Sequence, residues 1–281
     1  MAEKNTEKTI DDLTFGDEYL FEEVMQNKDL CKAFIETFLE MSDITGIEYI
    51  NAEESYKDSF WSKGVRFDIY VKGQDGVAYV VELQREDTKE IDKRLRYYQS
   101  TIDSKQLPKG KKNTYKNLKD SYIIFISRAD IFKRGRYRYS FRTTCMEDPT
   151  LTLDDGAYKI IFNTQGTHGD VSADVKAFLK AIEGMESNNS FVKKFEKFAE
   201  EVKADETWRK RYMQSLLRDQ DKFDAGVERG IEQGREQGEH KKAIEIAKNG
   251  LANNIPIETI SLMTGFKVSE LEKIAKAMAK V

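Results

Sequence analysis

Two acidic side chains lie inside apolar segments that a short turn joins. Asp68 lies within Val65–Val71 and Glu82 within Ala78–Gln84, and both segments are rich in β-branched and aromatic residues. The segment Lys72–Gly76 between them is Gly-rich and contains an Asp-Gly pair, which predicts a hairpin of two antiparallel strands. Neighbouring strands lie about 5 Å apart, so the two carboxylates can meet on one face, where they would need a cation or a proton to coexist.

Gln84 adds an amide to this group. Because side chains alternate along a strand, Gln84 projects to the same face as Glu82. Carboxylate and amide oxygens together can hold one divalent cation. The alternative is that both acids point to solvent on an edge hairpin.

The rest of the chain predicts the elements that would position this hairpin. Apolar residues recur at helical spacing from Asp17 to Glu40, and Asn27–Asp29 divides them into two helices. Five further segments predict, in order, a strand, an amphipathic helix, a buried central strand, another strand and a closing helix: residues 44–56, 90–107, 122–127, 158–163 and 174–183. This order is typical of a mixed sheet flanked by helices.

The ordered set of segments resembles the core of the PD-(D/E)XK nucleases, and specifically the Rpn family of recombination-promoting nucleases, also described as PD-(D/E)XK nuclease family transposases. Besides the hairpin, the resemblance rests on residues 15–21, 93–99, 121–126 and 154–160 and on the glycine-periodic tail, and it covers nearly the whole chain. It implies an α/β (α+β) fold with a restriction-endonuclease-like core, in which helices flank a mixed sheet, followed by a helical C-terminal extension.

The resemblance also implies a chemistry for the hairpin. Asp68, Glu82 and the backbone carbonyl of Leu83 would hold Mg²⁺ or Mn²⁺, which would activate a water to hydrolyse a DNA phosphodiester bond. The general motif of these nucleases ends in Lys, whereas this chain has Gln84, as the Rpn branch commonly does. A neutral amide can orient a water, but it cannot act as a general base or supply positive charge.

Other residues are candidates to support the site. Three cations could restore the missing positive charge: Arg66, Lys93 and Arg94. The helix predicted over 90–107 would place Arg94, Tyr98 and Gln99 beside the carboxylates. Asp17 occupies the position at which the resembled family carries an acid on its first core helix, or it only caps that helix.

The segment that follows the hairpin is strongly basic. Residues 85–142 contain 17 Lys and Arg against 7 Asp and Glu, although the net charge of the chain is −4. Beside a candidate metal site, such a segment predicts a surface for DNA phosphates, and the aromatic residues interleaved in 133–142 could stack on bases. The candidate DNA-binding residues are Lys93, Arg94, Lys111, Lys112, Arg134, Arg136 and Arg138. The alternatives are solvated helix and loop charges, or an edge strand whose charges oppose aggregation.

The character of the sequence changes near Asn188. We predict a nuclease-like domain over 1–187, a charged helical connector over 188–249 and a helix-turn-helix-like hairpin over 250–281. In the connector, four glycines recur every four residues and would form one stripe of a helix: Gly226, Gly230, Gly234 and Gly238. Such a stripe permits close helix contact and makes a homodimer through the C-terminal helices a candidate assembly.

Composition limits the classes of function. Cys31 and Cys145 provide neither a disulfide framework nor zinc spacing, and the two histidines argue against Ser-His-Asp hydrolysis. No apolar run approaches the ~20 residues of a membrane span, and the default location is the cytoplasm. Two rival classes stay open: a non-catalytic nucleic-acid- or protein-binding member of the same fold, and an interaction protein whose C-terminal helices carry the function.

Overall fold

The structure is a computed structural model of the 281-residue chain, and it describes residues 9–42, 44, 46–56, 65–84, 89–107 and 114–278. The chain forms two compact units, the first ending at Lys210 and the second beginning at Arg211. No helix of the described ranges is long and apolar enough to cross a membrane.

The first unit combines helices with a six-stranded sheet. Its helices are α1 (Glu18–Val24), α2 (Lys28–Leu39), α3 (Ile91–Gln106), α4 (Ala173–Ile182) and α5 (Ser190–Ala204). Its strands are β1 (Ile47–Tyr56), β2 (Val65–Gly73), β3 (Ala78–Gln84), β4 (Ser121–Ser127), β5 (Arg138–Phe141) and β6 (Ala157–Asn163). The predicted pair of N-terminal helices is confirmed, and the Asn27 side chain caps α2 by accepting from the amides of Asp29 and Leu30.

The sheet is mixed, with strand order β1-β2-β3-β4-β6-β5. β2 pairs antiparallel with both β1 and β3. β4 pairs parallel with both β3 and β6, and β5 pairs antiparallel with β6. The predicted hairpin is therefore β2–β3, and α3 is the crossover between the parallel strands β3 and β4. β4 lies in the middle of the sheet, as its uninterrupted apolar sequence predicts. This arrangement confirms the predicted α/β class.

The two faces of the sheet bury different sets of side chains. One face packs against α3 around Phe67, Val80, Leu95, Tyr98 and Phe125. The opposite face meets a cluster of phenylalanine rings from α2, α4, α5 and β6. Within it, Phe178 lies 5.5 Å from Phe38 and 5.0 Å from Phe195, measured between ring centroids.

The ring cluster changes the predicted division of the chain. The sequence places residues 190–204 in a connector, but they form α5, which buries Phe191, Val192 and Phe195 in the first unit. Phe195 also meets Phe15, far away in the sequence, at 6.3 Å. Such long-range contacts leave no local sequence signal, so a boundary near 187 separates α5 from its own core.

Three helices account for the second unit: most of α6 (Glu206–Ala252), α7 (Ile257–Thr264) and α8 (Val268–Met278). The predicted terminal helix pair is present, and it turns at Gly265, which has a φ of 74°. A small core of Ala247, Ile260 and Leu271 holds α7 and α8 against the end of α6.

Candidate active site

The β2–β3 hairpin brings Asp68 and Glu82 together at the point where the regular strand pairing changes. The pairing runs from Lys72 opposite Ala78 to Ile69 opposite Val81. Beyond it, the backbone amide of Asp68 donates to Glu82 Oε1 at 3.0 Å, and the amide of Leu83 donates to Asp68 Oδ2 at 3.0 Å. Each carboxylate thus accepts a backbone hydrogen bond from the strand that carries the other, and this fixes both.

Glu82 is buried, with 1% of its surface exposed. Burial raises its pKa well above the usual value, and the nearby charge of Asp68 raises it further. Arg94, the Asp68 amide and the Tyr98 hydroxyl lower it by stabilising the ionised form, but they do not offset the increase. The pair therefore favours a cation or a proton, as the sequence predicts.

Helix α3 supplies a cation to this pair. Arg94 Nη2 donates to Glu82 Oε2 at 2.7 Å, and Arg94 Nη1 donates to Gln84 Oε1 at 2.5 Å. Its Nε donates to the Tyr98 hydroxyl at 2.7 Å, and that hydroxyl donates to Glu82 Oε2 at 3.2 Å. Residues four apart on a helix lie on one face, which lets Arg94 and Tyr98 reach the same carboxylate.

The surroundings hold the guanidinium in its charged form. Burial by itself lowers the pKa of Arg94, but Glu82 and Tyr98 more than compensate, so its pKa is raised. Burial, and then the charge of Glu82, also raise the pKa of the Tyr98 hydroxyl. At neutral pH, Arg94 is therefore a cation and Tyr98 a neutral donor.

The other predicted supporting residues lie elsewhere or outside the described side chains. Gln99 donates to Ser121 Oγ at 2.7 Å and to Asp103 Oδ1 at 2.9 Å. Ser121 begins β4, whereas Phe125 of the same strand is the residue that pairs with Glu82. This separates Gln99 from the carboxylates by about four residues of strand, or roughly 13 Å.

Asp17 is the N-cap of α1, and its side chain accepts from the Leu20 amide at 3.1 Å. Capping is the alternative that the sequence left open for this residue. Lys93 is exposed on α3. Lys111 and Lys112, and the side chain of Arg66, lie outside the described residues.

The basic segment after β4 begins beside the end of β3, where the acids lie. Ser127, the last residue of β4, pairs with Gln84, so the loop that follows leaves beside the site. Arg134 and Arg136 in this loop are exposed. Arg138 instead lies on β5, where it forms an ion pair with Glu40 at 2.8 Å. β5 is the last strand of the sheet, so residues 138–141 do form an edge strand; the role of their charges stays a prediction.

Sequence reasoning missed the residues that shape this loop. Asp130 accepts from the Gly135 amide at 2.7 Å and from the Tyr139 hydroxyl at 3.2 Å. Gly135 has a φ of 66°, a left-handed conformation that suits glycine. The available signal was an acid three residues after a buried strand, followed five residues later by a glycine.

The oxygen donors at the hairpin fit a small divalent cation. The carboxylates of the half-buried Asp68 and the buried Glu82 lie together, and the carbonyl of Leu83 and the amide of Gln84 belong to the same strand end. All are hard oxygen ligands of the kind that Mg²⁺ and Mn²⁺ accept. Over the described ranges, no cluster of three or more His, Cys, Asp and Glu side chains could hold a metal, so a site here depends on two acids.

The fold and the acid pair define a nuclease-like protein, and comparison with known families agrees. The sequence model of the family described as PD-(D/E)XK nuclease family transposase matches residues 11–158, more than half of the chain. The chain belongs to this family. PD-(D/E)XK nucleases typically use divalent metal ions. Comparisons with curated proteins and with solved structures gave no match.

Proposed function

We propose that this protein is a DNA endonuclease that hydrolyses phosphodiester bonds with the help of Mg²⁺ or Mn²⁺. The observation that carries the proposal is the pair of interlocked carboxylates, Asp68 and Glu82, joined by two 3.0 Å backbone hydrogen bonds. Two close carboxylates of like charge, one of them buried, accept a divalent cation more readily than they coexist without one. The chain belongs to a nuclease family, and nucleases of this kind typically use such a cation.

In this proposal Asp68, Glu82 and the carbonyl of Leu83 would hold the metal ion. When bound there, the ion would supply the Lewis acid that activates a phosphate and a water for hydrolysis. Gln84 is the third residue of the motif, but its amide cannot accept a proton as a general base does. Tyr98 keeps the Glu82 carboxylate oriented through its 3.2 Å hydrogen bond.

A plasmid-nicking assay with Mg²⁺ or Mn²⁺, repeated in EDTA, tests the proposal. Cleavage should need the metal and should be lost in Asp68→Ala, because that change removes one of the two carboxylates. Circular dichroism would establish that the variant is folded. Cleavage by Asp68→Ala at the rate of the unmodified protein would overturn the assignment of the metal site.

DNA binding is proposed to use the basic residues near the site: Lys93, Arg94, Lys111, Lys112, Arg134, Arg136 and Arg138. The exposed loop that leaves beside Gln84 supports this, since its Arg134 and Arg136 are available to phosphates. The double variant Arg134→Glu with Arg136→Glu should weaken binding to any DNA sequence. It should also make the affinity depend less steeply on salt concentration, because fewer counterions are released.

A matched control reverses two exposed lysines of a different element, Lys194 and Lys197 on α5. Equal losses of affinity in the two double variants would mean that the loop is only one part of a diffuse charge effect.

We also propose a homodimer through the C-terminal helices. In α6, six large apolar side chains are exposed: Met213, Leu216, Leu217, Phe223, Val227 and Ile231. At 3.6 residues per turn they lie within an arc of about 120°, and Gly230, Gly234 and Gly238 continue the same stripe. A second copy would bury this stripe. Phe223→Glu with Ile231→Glu should halve the mass measured by light scattering, and an unchanged mass would exclude this interface.

A role in DNA recombination or mobile elements completes the proposal and is suggested by the word transposase in the description of the family. The cytoplasm is the proposed location. Gln84 favours a second candidate, a catalytically weakened member that binds nucleic acid or protein without cutting. That candidate predicts salt-sensitive DNA binding in the same assays and no metal-dependent nicking.

A further inference from the structure

A site that cleaves a phosphodiester with one divalent cation needs a net positive charge where the phosphate lies. Here Asp68 and Glu82 contribute two negative charges, and one divalent cation would only neutralise them. The attacked phosphate is itself an anion, and further negative charge develops on its oxygens in the transition state. Another cation fixed beside the carboxylates would make the loaded site positive by one charge.

Arg94 is placed to be that cation. Its two terminal nitrogens lie 2.7 Å from Glu82 Oε2 and 2.5 Å from Gln84 Oε1, so the guanidinium spans the end of β3. Each terminal nitrogen of an arginine carries two N–H groups. The side chain of Arg94 is 29% exposed, whereas the acid beside it is almost fully buried.

The guanidinium is also held in one orientation. Its Nε donates to the Tyr98 hydroxyl at 2.7 Å, and its central carbon lies 5.1 Å from the Tyr98 ring centre and 5.7 Å from the Phe125 ring centre. These rings favour a cation at this distance. A charge that is fixed before the reaction stabilises the transition state without the cost of reorganisation.

We propose that Arg94 supplies the positive charge that faces the scissile phosphate, and that Gln84 positions it. The amide oxygen of Gln84 accepts from Arg94, so Gln84 acts through the arginine and is a positioning residue. The charged side chain belongs to helix α3 and contacts Glu82 and Gln84 at the end of β3, whereas the lysine of the general motif belongs to the strand itself. This inference rests on the proposed nuclease function and adds to it the residue that handles the phosphate.

The experiment moves the charge from the helix to the strand. Cleavage of a duplex and DNA affinity in Ca²⁺ would be measured for Arg94→Gln, Arg94→Lys, and the double variant Gln84→Lys with Arg94→Gln. Arg96→Gln is the matched control, because Arg96 is an exposed arginine on the same helix. Arg94→Gln should lower kcat by about 100-fold or more, the usual loss for one preorganised transition-state group, and weaken DNA binding about fivefold.

Arg94→Lys should retain an intermediate rate, because it keeps the charge and loses the two-nitrogen geometry. The double variant should recover at least about tenfold of the lost rate, since a lysine at position 84 would restore the charge beside the same carboxylates. A purely structural role for Arg94 would give no such recovery. Arg96→Gln should cleave within about twofold of the unmodified protein, as expected for an exposed charge outside the site.

The possible failures are distinguishable. Absence of cleavage by the unmodified protein overturns the proposed function and this inference with it. If the unmodified protein cleaves and folded Arg94→Gln cleaves equally well, only the Arg94 inference falls. Should Arg94→Gln fail to fold, Arg94→Lys decides: a rate as low as that of Asp68→Ala in a folded protein would contradict the role assigned to the charge.

Discussion

Two arginine–glutamate pairs in the first unit have nearly the same shortest nitrogen–oxygen distance, but the pKa values of their carboxyl groups shift in opposite directions. Arg94 Nη2 lies 2.7 Å from Glu82 Oε2, and Arg128 Nη2 lies 2.8 Å from Glu183 Oε2. The arginines are similarly exposed, at 29% and 33% of their side-chain surface. Nevertheless, the pKa of Glu82 is raised well above its usual value and the pKa of Glu183 is lowered.

The cause lies in what surrounds each carboxylate. Burial has the largest effect on Glu82, and the charge of Asp68 adds to it. For Glu183 the hydrogen bonds from Arg128 have the largest effect; they come from Nε at 3.1 Å and Nη2 at 2.8 Å. Thr164 adds a donor at 2.6 Å, and burial opposes both only in part. An ion pair alone therefore does not determine whether a buried acid stabilises the fold.

The two pairs thus differ in purpose. The Glu183 pair ties the end of β4 to the end of α4, and its charges favour the folded state. The charge of Glu82 works against the folded state, as we would expect for a carboxylate with the metal-binding role proposed for it. Glu183 is accordingly a matched control for Glu82, because the same substitution can be made in each.

The largest expected difference is in cleavage. Glu82→Gln should reduce metal-dependent nicking by at least about 1000-fold, because it removes one of two charged metal ligands. Glu183→Gln should stay within about threefold of the unmodified protein, since the Glu183 side chain contacts Arg128 and Thr164 rather than Asp68 or Glu82. The measurement is initial nicking rate under saturating Mn²⁺. Similar losses in both variants would mean that the first unit tolerates neither change and that the contrast is structural.

The next largest difference is expected in the stability of the metal-free protein at neutral pH, measured by urea denaturation. Glu82→Gln should raise the free energy of unfolding by about 1 kcal/mol, because burial and the charge of Asp68 both disfavour the ionised carboxylate that the neutral amide replaces. Glu183→Gln should lower it by up to about 1 kcal/mol, the range for partly exposed ion pairs. A loss of stability in Glu82→Gln would show that the Arg94 pair outweighs burial.

The pH dependence of these two differences should have opposite signs. The pKa of Glu82 is raised on folding, so the folded state binds the proton more tightly than the unfolded state does. Glu82 therefore lowers the free energy of unfolding once the pH rises above its pKa in the unfolded chain. The advantage of Glu82→Gln should therefore grow from about pH 4.5 upward and vanish in acid.

The pKa of Glu183 is lowered on folding, so its contribution is present above the unfolded pKa and is lost as pH falls. The deficit of Glu183→Gln should shrink in acid. Unfolding curves of the two variants and the unmodified protein, collected from pH 3 to 8 in EDTA, would show whether the two differences diverge with pH.

The smallest effect is expected in the second unit, where an ion pair is fully solvated. Arg235 contacts Glu232 at 2.7 Å on α6, and both side chains are more than half exposed. Its substitution, Arg235→Gln, should leave the midpoint of thermal unfolding unchanged within error, since water screens such pairs. A clear decrease would indicate that this part of α6 is covered, as the proposed homodimer would allow at high protein concentration.

Much of the fold could be predicted because the signals were local. The Gly-rich turn predicted the β2–β3 hairpin, the apolar run predicted the central strand β4, and helical spacing predicted α3 to within about one residue at either end. The proximity of Asp68 and Glu82 followed from the hairpin, because strand pairing fixes which residues face each other.

The tertiary structure alone decided which partners these residues meet. From the sequence, three cations were candidates for the site and Gln99 was predicted to lie beside it. The packing of α3 instead places Arg94 against Glu82 and Gln99 against Ser121. Likewise, only the packing of rings from distant segments places α5 in the first unit. Periodicity specifies which face of a helix is buried, but the rotation and depth at which that face docks depend on side chains far away in the sequence.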